Sequence, residues 1–245
     1  MARLDVTEIF HGITFPGHLH TQESLCYATD FKFQDADILI VTYPKSGTTW
    51  MQELITLVLC RGDPKISQTQ PNWARAPWIE QYYCPNILKA LKGPRLLTTH
   101  LPYKVLAPAL QGSKAKVIYV ARNPKDVIVS YYYFHKMANF LTDPGTFSEF
   151  LSSFLDGKVY YGSWFDHVKE WTNNERNNDH FLYITYEEMW EEIMDHSKGR
   201  FMRKGQVGDW VNTFSKEQSH IFDVVYNSKM VDSMLTFVWE RKNPV

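Results

Sequence analysis

Lys45, Ser46, Gly47, Thr48 and Thr49 place one amine, three hydroxyls and a glycine within five consecutive positions of the segment Tyr43-Pro44-Lys45-Ser46-Gly47-Thr48-Thr49-Trp50. An apolar run, Ile38-Leu39-Ile40-Val41, precedes the segment, and the longer run 51–59 follows it. This order predicts a buried strand, a tight turn and the first turn of a helix ending near Cys60. Such a turn presents backbone N–H groups, backed by the helix dipole, to an anion. Gly47 permits close approach of the backbone, and the lysine and hydroxyls add donors. The chemistry suited to the segment is therefore recognition of a phosphate or sulfate group. It departs from the nucleoside-triphosphate loop GxxxxGK[ST], because Lys45 lies before Gly47 and no lysine follows it. An ordinary polar strand-to-helix turn is the plain alternative.

Two further basic clusters occur along the chain. Arg122-Asn123-Pro124-Lys125-Asp126 follows the apolar strand predicted over 115–121, and Ser130 lies two turns into the next helix. Arg203-Lys204-Gly205-Gln206-Val207-Gly208-Asp209-Trp210 forms a glycine-rich loop nearer the C-terminus. His100 ends a short predicted strand over 95–100, and Tyr186 ends another over 181–186. Pro124 suits a first helical turn. Helices are also expected over 147–154 and 163–171, and an aromatic loop over 72–85. Alternating strands and helices predict a single α/β domain with a mainly parallel central sheet flanked by helices. Ligands of such sheets sit beyond the carboxyl ends of the strands. Lys45, His100, Arg122 and Tyr186 all fall there.

The 245 residues suffice for one domain with a sizeable core. The formal net charge of −1 argues against a nucleic-acid-binding protein, although a local basic patch remains compatible with it. Cys26, Cys60 and Cys84 show no metal-ligand spacing and no disulfide framework, so a reducing compartment is expected. The N-terminal segment lacks a signal-peptide pattern and no apolar run reaches transmembrane length, giving an expectation of a cytoplasmic protein.

Taken together, TYPKSGTTW at 42–50, THLP at 99–102, RNPKDVIVSYY at 122–132 and RKGQVGDW at 203–210 resemble the cytosolic sulfotransferase family. GSWFDHVKEW at 162–171 and ITYEEM at 184–189 fit the same pattern, and the resemblance runs over nearly the whole chain. WARAPW at 73–78 and SKAKVIYVARNP at 113–124 look most like the hydroxysteroid, or alcohol, branch. The resemblance implies in-line sulfuryl transfer from 3′-phosphoadenosine 5′-phosphosulfate (PAPS) to an acceptor hydroxyl, with 3′-phosphoadenosine 5′-phosphate (PAP) as product and no metal. By the same resemblance, Lys45, Ser46, Gly47, Thr48 and Thr49 would hold the 5′-phosphosulfate. Arg122, Ser130, Arg203, Lys204 and Gly205 would hold the 3′-phosphate, for which arginine offers a fixed fork of donors. Trp50 would stack on adenine and Tyr186 would meet its edge. His100 matches the family's catalytic base, a role suited to an imidazole titrating near neutrality. Lys45 would stabilise charge on the leaving oxygen, and Ser130 would steer Lys45.

A sterol-like acceptor calls for an apolar pocket, since buried surface supplies most of its affinity. Phe15, Trp73, Trp78, Tyr133, Phe134 and Met137 are the candidates; the aromatics on the helix after Pro124 have a core role as the alternative.

The chain also departs from the family in two places. Judged by the family pattern, a segment of several tens of residues is lacking between Ile193 and Met194, either as a true deletion or as a mobile segment not included in this sequence; it normally carries a phenylalanine facing Trp50 across adenine. The family's dimer motif, KxxxTVxxxE, is replaced at Val211, Ser215, Lys216 and His220, so a monomer or weak dimer is expected. Two rivals follow: a catalytically impaired deletion form that binds PAP or PAPS, and a nucleotide-dependent phosphotransferase on a related fold.

Overall fold

Apolar and β-branched runs bounded by polar turns become the strands of this protein, and amphipathic runs between them become its helices. The computed structural model describes residues 6–91, 93–175, 178–193 and 207–240. A hairpin of β1 (Thr7–Phe10) and β2 (Ile13–Pro16) leads into α1 (Gln22–Thr29). Next come β3 (Ile38–Thr42), α2 (Thr48–Leu59), and the short helices α3 (Lys65–Thr69), α4 (Asn72–Arg75) and α5 (Cys84–Leu88). β4 (Leu96–Thr99), α6 (Tyr103–Leu110), β5 (Lys116–Ala121) and α7 (Pro124–Met137) continue the alternation. The chain then forms α8 (Phe147–Leu155), α9 (Trp164–Glu175), β6 (Phe181–Thr185), α10 (Tyr186–Ile193) and α11 (Lys216–Lys229).

β3, β4, β5 and β6 make one parallel sheet in the order β4-β3-β5-β6. Its three members β4, β3 and β5 are buried on both faces, as an α/β sheet covered by helices requires. Successive side chains alternate between two cores. Leu39, Val41, Leu97, Val117 and Tyr119 enter the larger one, with Val168 and Trp171 of α9 packed in it. Ile40, Leu96, Ile118 and Val120 enter the smaller one, beneath Trp50 and Met51 of α2 and Met189 of α10. The register pairs Val41 with Thr99, Thr42 with Val120, and Ala121 with Thr185. The four strands therefore end almost level, and the residues that follow them share one edge.

The single parallel α/β domain expected from the sequence is the one observed. Three local features differ from expectation. The aromatic segment 72–85 contains α4 and the start of α5 rather than loop alone, because Ala76 N finds Asn72 O at 2.8 Å and Ile87 N finds Tyr83 O at 3.3 Å. β6 stops at Thr185 and Tyr186 opens a helix: the Glu188 carboxylate accepts the Thr185 N–H at 2.7 Å, and the Thr185 hydroxyl accepts the Glu188 N–H at 3.1 Å, the reciprocal pattern that starts helices. The β1–β2 hairpin carried no strong periodicity, being half exposed along β1.

At the opposite, amino-terminal edge of the sheet, the buried Asp37 carboxylate accepts hydrogen bonds from the Arg95 guanidinium and from Gln34 N. Removing one partner of a buried ion pair strands the other charge. Asp37→Ala is expected to lower the unfolding free energy by about 3 kcal/mol in denaturant titration.

Candidate active site

The turn between β3 and α2 is held in a conformation that exposes donors on its outer side. Lys45 adopts φ +71° and Gly47 φ +106°. The first is costly for a side-chain-bearing residue, and such strain persists where surrounding structure imposes it. The Ser46 N–H donates to Tyr43 O at 3.2 Å, closing the turn. The Ser46 side chain is fully buried beneath it, and its Oγ has no hydrogen-bond partner among the described residues. A Cβ added at Gly47 would lie 2.8 Å from the Tyr186 ring, so the glycine is demanded by close approach as well as by φ.

His100 begins the loop immediately after β4. Its Nδ1 lies 2.8 Å from the Thr42 carbonyl and 3.1 Å from Thr42 Oγ1. A carbonyl only accepts, so the Nδ1 carries the proton and the lone pair resides on Nε2. The Thr42 hydroxyl also meets that of Thr48 at 2.7 Å. The backbone N–H of His100 donates to Glu80 Oε1 at 2.8 Å. Burial lowers the His100 pKa to about 4, with the Lys45 charge adding to the shift. Burial also raises the Glu80 carboxyl to about 7. Lys45 Nζ lies 4.0 Å over the Phe134 ring, a cation–π position.

Arg122 follows β5 and lies across the same edge. Its guanidinium donates to Lys45 O at 3.0 Å and stacks 4.2 Å from the Tyr186 ring centre, while its buried Nε has no partner among the described residues. Asn123 caps α7 by accepting from Lys125 N. Asp126, in the first turn of α7, accepts from Gly208 N at 2.8 Å and Trp210 N at 3.0 Å. One carboxylate thus anchors the segment that follows the basic sequence 203–206. Arg203, Lys204 and Gly205 themselves lie outside the described residues.

These groups open onto one cavity of about 920 Å³. Lys45, Gly47, Thr48, Thr49, Trp50, His100, Arg122, Ser130 and Tyr186 line it, whereas Ser46, wholly buried beneath the turn, does not. Trp50 meets Tyr186 edge-on at 5.4 Å between ring centres. Of the proposed apolar wall, Trp73, Trp78, Phe134 and Met137 are present. Two candidates are corrected. Phe15 is wholly buried in the core, packed edge-on against Tyr161, and does not reach the cavity. Tyr133 is half exposed and packs on Tyr132 instead of lining the cavity. Gln81, Tyr83, Asp126 and Tyr161 line the cavity without having been singled out from sequence. Glu80, which touches His100, also went unnoticed: its contact spans 20 residues and no local pattern encodes it.

A family model described as a sulfotransferase domain matches residues 35–196 and 190–234. The chain belongs to the sulfotransferase family. Sulfotransferase 2B1 of Rattus norvegicus is 40% identical over 280 aligned positions, covering 95% of this chain and 82% of that protein. The 3-beta-hydroxysteroid sulfotransferase of Cavia porcellus is 36% identical, covering 97% of this chain and 99% of that protein. Among solved structures, a mouse sulfotransferase complexed with PAP aligns with TM-score 0.74 and 28% identity, over 94% of this chain and 96% of that one.

In this sulfotransferase the turn around Gly47 is the part least tolerant of added bulk. Gly47→Ala meets both an unfavourable φ and the Tyr186 ring. The expected result is a loss of PAP affinity of at least about 10-fold by calorimetry. Retained affinity would contradict the assigned close approach.

Proposed function

We propose that this chain transfers a sulfuryl group from PAPS to the hydroxyl of an apolar, steroid-like alcohol, with His100 as general base. The observation that carries the reading is the position of His100. Its Nδ1–H is committed to the Thr42 carbonyl, at the end of the strand that enters the anion-binding turn. The base and the turn therefore face one cavity in fixed register. The relatives that bear hydroxysteroid sulfotransferase in their names favour an apolar alcohol, as does the wall of Trp73, Trp78, Phe134 and Met137.

The residues fit a phosphorylated donor by their own chemistry. Arg122 lines the cavity, and its Nε is a buried polar atom without a partner among the described residues; such atoms ordinarily find one. PAPS, when bound, supplies the activated sulfuryl group. The turn 45–49 would hold its 5′ side. Arg122 and Ser130, together with 203–205, would hold the 3′-phosphate; Trp50 would stack on the adenine and Tyr186 would meet its edge. His100 Nε2 takes the acceptor's proton, which makes the hydroxyl nucleophilic as it attacks. Lys45 places a positive charge where the leaving oxygen gains negative charge.

We also infer that a family segment is missing close to 193–194. In support, the two stretches matched by the family model overlap at 190–196, and the aligned length of 280 positions exceeds the 245 residues present. Loss of that segment favours weaker nucleotide binding and leaves a PAP-binding, non-transferring protein as the competing reading. The replaced dimer motif at Val211, Ser215, Lys216 and His220 supports a monomer or weak dimer.

Three outcomes test the reading. His100→Ala is expected to remove turnover by about 10²-fold or more while PAP still binds; a variant that still turns over excludes His100 as the base. Arg122→Ala should raise the PAPS KM by about 10- to 100-fold, the range for hydrogen bonds to a charged group, with an unchanged KM rejecting the contact. The third concerns pH. A base must be neutral to accept a proton, and a pKa lowered to about 4 keeps His100 neutral well below its ordinary range. The acid limb of kcat/KM assigned to His100 should therefore lie below pH 6, and a limb at 6.5 would show an imidazole exposed to solvent.

A further inference from the structure

The acceptor side of the cavity is mostly aromatic and aliphatic; Asn72, Gln81, His100 and Tyr161 bring polar groups to it, and the Asn72 amide already donates to Gln52 Oε1 at 2.9 Å. Gln81 lines the wall next to Trp78 and Tyr82 and is almost fully buried. Its backbone is fixed on both sides: Gln81 N donates to Trp78 O at 3.1 Å, and Gln81 O accepts from Cys84 N at 2.9 Å. Tyr82 N, the next donor along, reaches Leu19 O at 3.1 Å. The side chain is fixed as well, because the Tyr83 hydroxyl donates to Gln81 Oε1. Tyr83 is itself held edge-on between Trp73 at 6.0 Å and Tyr82 at 5.7 Å.

The direction of that hydrogen bond decides the chemistry offered to a ligand. Burial and the nearby Glu80 raise the Tyr83 pKa, so its hydroxyl stays protonated and available as a donor. The amide oxygen is consumed by this bond. The Nε2 donors, on a residue that lines the cavity, are left without a hydrogen-bond partner among the described residues. The Tyr161 hydroxyl, by contrast, already lies 3.4 Å from His20 Nε2. A mostly apolar pocket with a few fixed polar groups takes its orientation preference from those groups.

We propose that Gln81, oriented by Tyr83, is a specificity-determining donor that selects acceptor alcohols carrying a second oxygen able to accept a hydrogen bond, such as a ring carbonyl. This inference rests on the reading of the cavity as an alcohol-acceptor site. His100 serves the reacting hydroxyl, and Gln81 fixes the molecule by its other oxygen. A substrate lacking that oxygen leaves the amide facing apolar surface or stray water, and loses affinity accordingly.

The test compares kcat/KM for a fused-ring alcohol with one hydroxyl against matched keto-alcohols whose carbonyl sits at successive ring positions. The native protein should prefer at least one keto-alcohol by about 10-fold, the range of a single uncharged hydrogen bond. In Gln81→Leu the ratio should fall to about one. Gln81→Glu, with the same shape but no donors, should lose the preference equally, and Tyr83→Phe should reduce it by releasing the amide. PAP affinity measured on each variant shows whether the nucleotide half is intact, so that a folding failure of one variant leaves the others to decide. Identical ranking of the acceptors by native protein and the folded Gln81 variants overturns the proposal. Turnover of the single-hydroxyl alcohol with no carbonyl preference overturns it alone, whereas no turnover of any alcohol overturns the acceptor reading beneath it as well.

Discussion

The bond from His100 Nδ1–H to the Thr42 carbonyl joins the two halves of the site. Thr42 is the last residue of β3, and the turn that carries Lys45, Ser46 and Gly47 starts at once beyond it. His100 is the first residue beyond β4, the parallel neighbour of β3. The same carbonyl therefore fixes the tautomer of His100 and its distance from the turn 45–49. In a sheet with level strand ends, this arrangement needs no long loops. A slip of one residue in the β3–β4 pairing would turn the alternating side chains to the wrong faces and would carry His100 away from Thr42. Buried strands on both faces make such a slip costly.

Burial then sets the electrostatics. His100, His20 and His167 are all buried near one another, and desolvation lowers each of their pKa values, to about 4, 4 and 3 respectively. The tyrosines around them are pushed in the opposite direction, staying neutral. The His100 imidazole thus sits in a neutral, aromatic surround, with Tyr161 edge-on at 5.3 Å and Trp78 at 5.9 Å. In such a surround the Lys45 and Arg122 charges on the other side of the cavity are weakly screened, which is what an anionic donor requires.

Much of this was legible in the residues because the fold puts chemistry at a recognisable place. Lys45, His100, Arg122 and Tyr186 are polar or aromatic residues directly after apolar strands, and parallel sheets gather such positions. The acceptor wall was less legible. Ser130, Phe134 and Met137 share a spacing that keeps them on one side of α7, while Tyr133 is rotated by about 100° from Phe134 along the helix. Phe15 belongs to a hairpin whose register no local pattern announces, and it fills the core instead. Glu80, Gln81 and Asp126 act through contacts with residues far along the chain or with the cavity itself, so their roles appear only once the chain is folded. The Gly208 and Trp210 amides found on Asp126 illustrate this: a carboxylate two residues after Pro124 reads as a helix-start residue, and it is one, yet it also ties down the C-terminal segment.

His100 and the turn 45–49 line one cavity, so a donor and an acceptor bound there would meet. The direct measurement is a single-turnover reaction of the purified 245-residue protein with sulfur-labelled PAPS and an apolar ring alcohol. Label appearing in the sulfate ester, and absent with His100→Ala, is the predicted result. Tight binding of PAP with no label transferred to any alcohol would contradict it and identify a nucleotide-binding protein that has lost transfer.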